Sequence, residues 1–195
     1  MERENRQLRT AATEFNTRED GDDLYIEGYF AVFNSIYDLG YGMSESIAPG
    51  AFTKWLAGDI RALVNHDTTL VLGRTSAHTL ELSQDERGLW GKVKINPKDQ
   101  EAMNLYARVQ RGDETQCSIG FDIIDEETEF REDGSVHWTI REIKLYEVSA
   151  CTFPAYEETA ISARQKDLDE LKKRKNEAWK AEQLRKLKGD QNNGD

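Results

Sequence analysis

Between Gln116 and Ile124 the chain reads Gln-Cys-Ser-Ile-Gly-Phe-Asp-Ile-Ile, and Ile119, Phe121 and Ile123 alternate with Ser118, Gly120 and Asp122 until Ile124 breaks the pattern. That period of two predicts a buried strand. Ser118 and Gly120 then share one face, and Cys117, Ile119 and Phe121 share the other. A hydroxyl beside a residue without a side chain leaves room for a substrate backbone to lie close, which makes Ser118 a candidate nucleophile. The plainer alternative is a serine on a solvated strand face. Cys117, the neighbouring rival, points the other way.

Charge narrows the classes of partner. Of 195 residues 37 are acidic and 26 basic, a net charge of -11, which argues against the basic footprint of a general nucleic-acid binder. Two cysteines, Cys117 and Cys151, and three histidines, His66, His78 and His137, support neither a disulfide framework nor a metal centre. No cofactor is expected. No apolar run approaches the ~18 residues of a membrane span, and Met1–Arg6 lacks the apolar core of a signal peptide. A soluble chain in a reducing, cytoplasmic setting is expected.

Taken in order, strands are predicted near 8–13 and over 24–33, where aromatic and branched residues dominate. A loop follows over 34–42, then a short helix in which Phe52, Trp55 and Leu56 fall at i, i+3 and i+4. The next strand, 60–66, puts Ile60, Ala62, Val64 and His66 on one face. A histidine at the mouth of such a face suits a general base, although spacing alone favours the plainer reading of a turn cap. His78 and His137 read as solvated or half-buried. Further strands cover 70–74, 79–82 and 88–95, with a turn at 85–88. Asn96-Pro97 then opens a helix whose Ala102, Leu105, Tyr106 and Val109 form one stripe, and Gly112 stops it.

A hairpin tip at 132–135 leads into a long strand from Val136 to Ser149. Its apolar parity changes between Ile140 and Ile143, predicting a bulge at Arg141–Glu142. Glu147 continues the parity of Ile143 and Leu145, where a carboxylate must be paired if buried; an edge-strand glutamate in water is the alternative. Phe153–Tyr156 closes the globular part as an extended turn. Residues 1–162 are therefore one expected domain. From 163 to 195 the expectation is a charged helical extension, able to dock on a partner, with a disordered tail from Gly189.

Four segments together resemble the prohead (procapsid maturation) protease family of tailed bacteriophages: Gly28–Asn34, Glu45–Phe52, Ala62–Asp67, and Gln116–Phe121 with the later Tyr146–Ser149 and Phe153–Tyr156. That family is distantly similar to the herpesvirus assembly protease. The resemblance implies a mainly β fold with flanking helices, specifically a closed antiparallel β-barrel. It implies a serine endopeptidase with Ser118 as nucleophile, His66 as base and Glu147 as third member, Asp67 being the runner-up. The implied partners are the major capsid protein with its scaffolding region and the protease itself, as an oligomer, inside an assembling prohead in the host cytoplasm. The competing readings are a non-catalytic assembly module on the same barrel and a generic β-barrel binding domain.

Overall fold

The computed structural model describes residues 7–12, 15–152 and 157–190. They form two compact units, Met1–Glu157 and Glu158–Asp195. The first is built around a long hairpin of β10 (Gln116–Phe130) and β11 (Val136–Cys151), closed by a turn in which Gly134 takes φ 84°. β1 (Gln7–Ala12) pairs antiparallel with the first part of β10. Along the other edge of β11 lie two short strands end to end, both parallel to it. They are β5 (Met43–Ile47), opposite Val136–Ile140, and β6 (Arg61–Val64), opposite Glu147–Ala150. β4 (Tyr37–Gly40) and β7 (Asp67–Arg74) complete this seven-stranded sheet. A second sheet runs β2 (Asn16–Asp20), β3 (Asp23–Val32), β9 (Gly88–Ile95), β8 (Leu80–Gln84).

The expected closed antiparallel barrel is not what forms. The fold is mainly β, but closure requires the first and last strands to pair in one staggered ring. Here two separate sheets are present, no pairing among the described residues joins them, and β11 pairs in parallel with two partners. Alternating strand patterns look the same for two packed sheets and for a barrel, so the sequence periods did not separate them. Ile26, Phe30, Leu89 and Val93 of one sheet and Ile119, Phe121, Ile143 and Val148 of the other share a core, joined by Ala102, Leu105, Tyr106 and Val109 of α1 (Gln100–Arg111).

Local chemistry explains three further departures. Helix α1 starts at Gln100, not at Asn96-Pro97, because Asp99 accepts from the amides of Glu101 and Ala102 as N-cap. Asn96 instead accepts from Lys98 N and makes a turn. Around Phe52 no helix forms. Trp55 N bonds Phe52 O and Gly58 N bonds Trp55 O, successive turns in a segment too short to nucleate a helix. The predicted loop at 34–42 contains β4, paired to β5 through the positive-φ residues Gly40, Tyr41 and Gly42.

β11 does bulge at Arg141, where Asp125 faces Glu142 and Glu126 faces Ile140, and the register also shifts at Ile124 and Tyr146. The resulting bend has a marker. Arg9 lies opposite Ile119 and so level with Val148, whereas Glu45 lies beside Trp138, ten residues away along β11. A straight strand would hold them roughly 33 Å apart. Yet Arg9 Nη2 donates to Glu45 Oε2 at 3.0 Å, and its Nε donates to Oε1, both side chains being buried.

The second unit takes in α2 (Glu157–Asp190) from Glu158 onward, with pairs such as Gln165–Asp169 and Arg174–Glu170 on successive turns and Trp179 and Leu184 exposed. The expected turn at 153–156 and the tail past Asp190 lie outside the described residues.

Removing one partner of a buried ion pair strands the other, so Glu45→Ala is expected to cost about 3–5 kcal/mol in denaturant unfolding. Replacing both residues by apolar ones of similar volume should recover most of that loss.

Candidate active site

On β10, Cys117, Ile119 and Phe121 enter the core while Ser118 and Gly120 face the opposite way, as the alternation predicts. β11 behaves differently. Its core residues are Ile143 and Leu145, then Val148 and Ala150, the parity switching at the Tyr146 shift. Glu147, Ser149 and Cys151 are thereby turned to the face of Ser118 and Gly120. Parity counted from Ile143 places Glu147 on the core side; the extra residue at 146 reverses that. In register, Ser118 sits opposite Ser149 and Gly120 opposite Glu147.

His66 arrives by a turn. β6 ends at Val64, which pairs with Asp67, and the two linking residues Asn65 and His66 take φ 51° and 61°. Two positive φ values mark the type I′ hairpin, and Asn and His tolerate this left-handed region better than most residues. The turn carries His66 off the face shared by Ala62 and Val64 and over to Glu147. Asn65 anchors it: its amide donates to Ala150 O at 2.9 Å and its Oδ1 accepts from Thr152 N at 2.9 Å. Thr152 Oγ1 in turn donates to the buried Glu114 at 3.0 Å, whose other oxygen lies 3.6 Å from Arg108 Nε at the end of α1.

At the centre, His66 Nδ1 and Glu147 Oε1 are 2.7 Å apart, with Glu147 buried and His66 19% exposed. Ser149 Oγ donates to Glu147 Oε2 at 2.7 Å and accepts from the His66 amide at 3.3 Å. On the far side of the ring, His66 Nε2 faces Cys151 Sγ at 3.8 Å. Burial, then the charges of Glu147 and Glu114, push the Cys151 thiol up to about 12, so it carries its proton at neutral pH. The Glu147 carboxylate occupies the space above Gly120, where a Cβ would lie 2.1 Å from Oε1.

Of the residues singled out from the sequence, His66 and Glu147 are brought into direct contact. Ser118 is one cross-strand step away and fully buried, and among the described residues its Oγ has no hydrogen-bond partner. Asp67 turns elsewhere: its Oδ1 accepts from Thr69 N and Oγ1, which hold its carboxyl below the usual range. Cys117 lies in the core with its thiol toward Tyr29 O and Phe30 O. His78 is exposed, but His137 is buried, its ring nitrogens 2.8 and 2.9 Å from the hydroxyls of Ser44 and Ser46, and burial lowers its pKa. Asn65, Glu114, Ser149, Cys151 and Thr152 were not foreseen as site residues. The alternation Glu147, Ser149, Cys151 was the available sign of a shared face.

A family model described as caudovirus prohead serine protease matches residues 11–174. The chain belongs to that family. The prohead protease of Enterobacteria phage HK97 is 32% identical over 155 residues, covering 77% of this chain; the chain spans 64% of that relative. The capsid assembly protease of bacteriophage T4 matches at TM-score 0.49 and 12% identity over 76% of this chain and 98% of that one, too slight a likeness to argue from. Within this prohead serine protease family member, no described group of three or more His, Cys, Asp or Glu side chains is placed to hold a metal ion, and no described helix is long and apolar enough to cross a membrane.

Gly120→Ala is expected to drive the Glu147 carboxylate from its place, so a crystal structure of the variant should show Nδ1–Oε1 beyond 3.5 Å, outside hydrogen-bond range. Both cysteines are buried, so native protein at pH 8 should titrate about zero thiols with a disulfide reagent, and unfolded protein both.

Proposed function

We propose that the chain is a serine endopeptidase that cleaves the capsid protein, its scaffolding region and itself as proheads mature in the host cytoplasm. The observation that carries this reading is the 2.7 Å contact between His66 Nδ1 and Glu147 Oε1, one strand away from the Ser118 hydroxyl. Membership of the prohead serine protease family and the name of the HK97 relative support the substrate class.

In the reaction, Ser118 Oγ bonds to the scissile carbonyl carbon, its proton passes to His66 Nε2, and the carbonyl π pair moves onto oxygen. Collapse of that intermediate breaks the C–N bond, and the imidazolium gives its proton to the leaving amine. Water, deprotonated by the same nitrogen, then attacks the acyl carbon, the bond to Ser118 Oγ breaks, and the imidazolium returns its proton to Ser118 as the new carboxylic acid leaves. Glu147 fixes the ring with Nδ1–H toward the carboxylate and stabilises the imidazolium. Ser118 has no exposed surface and Nε2 faces Cys151, so acylation requires the site to open and Ser118 to replace the thiol at Nε2.

One observation favours the second reading, a non-catalytic assembly module: the Ser118 hydroxyl is buried without a bond to His66. Co-expression with the capsid protein separates the two. Wild type should yield shortened capsid protein, Ser118→Ala and His66→Ala none, and Glu147→Gln should be slower by about 10²–10⁴-fold. Identical full-length bands from wild type and Ser118→Ala would sink the peptidase reading.

A further inference from the structure

Three groups meet at a residue to which triad chemistry assigns no part. The Ser149 hydroxyl has one proton, and its 2.7 Å approach to Glu147 Oε2 commits that proton to the carboxylate. Its oxygen accepts from the backbone N–H of His66 at 3.3 Å and lies 3.4 Å from Nδ1. Glu147 Oε1 is left to the imidazole at 2.7 Å. Ser149 itself is fully buried, paired in register with Ser118 on one side and Leu63 on the other.

We propose that Ser149 is a positioning residue for this site, acting through Glu147 and His66; the role rests on the peptidase reading above. The imidazole rides on a two-residue turn and the carboxylate on a side chain with three rotatable bonds, and neither is fixed by strand pairing alone. One buried hydroxyl ties both to the frame of β11. It divides the carboxylate so that one oxygen is held and the other is aimed at Nδ1, and it pins the backbone beneath the ring. Ser149 is closer to His66 than Ser118 is in hydrogen-bond terms, but its geometry is not that of a nucleophile. Its proton points to Glu147, and the nitrogen beside it is the one already engaged.

The test compares Ser149→Ala and Ser149→Thr with wild type. Displacing a reacting group by about 1 Å costs on the order of 10²-fold. Ser149→Ala should therefore lower kcat for capsid-protein cleavage by about 10–100-fold with KM within about twofold. Its Ser118 should still be phosphonylated by a fluorophosphonate with loss of fluoride, more slowly by the same factor, and Ser149→Thr should restore the rate to within a few fold. The low-field proton resonance of His66 Nδ1–H, present in wild type, should be lost in Ser149→Ala and return in Ser149→Thr. An unchanged kcat in Ser149→Ala, or an unchanged low-field proton, would overturn the proposal, as would a folded Ser149→Thr that fails to recover either. If wild type neither cleaves nor labels, the peptidase reading fails, and the resonance still decides whether Ser149 holds the pair. If Ser149→Ala does not fold, the Ser149→Thr resonance and kcat decide, and loss of either in a folded protein overturns the role.

Discussion

The continuous pairing of β10 with β11 is the constraint on which the rest depends. It places Ser118 beside Ser149 and Gly120 beside Glu147, and it offers the opposite edge of β11 to β5 and β6. Its irregularities matter as much as its regularity. The register shift at Tyr146 turns Glu147 away from the core, and the shifts at Ile124 and Arg141 accompany a bend across which Arg9 reaches Glu45. A regular hairpin of the same composition would bury Glu147 among isoleucines and leave His66 without a partner.

The polar cluster around His66 is organised in layers. Glu114, Thr152 and Asn65 fix the turn from behind, and Ser149 and Glu147 fix the ring from the side. Within this cluster the buried carboxylates of Glu147 and Glu114 and the Ser149 hydroxyl each meet a polar partner, as burial demands. Cys151, held protonated by burial and by two nearby acids, completes the surround without adding a charge. A left-handed histidine on a tight turn is a modest conformational cost that these bonds offset.

Much of this was legible from residue order. The alternation at Ser118, the stripe of α1 with its Gly112 stop, the turn at Asp85 and the bulge at Arg141 all follow from local periods and turn chemistry. What was not legible depends on distant pairing. Whether strands close into a ring is a property of edges, which a single segment does not reveal. The face of Glu147 depends on one extra residue at 146, invisible to a parity count, and the face of His66 depends on two residues leaving the strand together. The helix expected at Phe52 failed because three apolar positions at helical spacing do not outweigh the cost of nucleation. His137 is buried because Ser44 and Ser46 of another strand satisfy its ring, a pairing 93 and 91 residues away in sequence.

The bare backbone at Gly120 has a consequence beyond its own strand. The volume a methyl would fill is already held by the carboxylate of Glu147, so positions 120 and 147 draw on one shared space, facing each other across two strands. A bulkier residue at the first is compatible only with a shorter acid at the second, and the reach of that acid toward the imidazole shrinks by the same amount. Two positions separated by 27 residues of chain are thus coupled through a single volume.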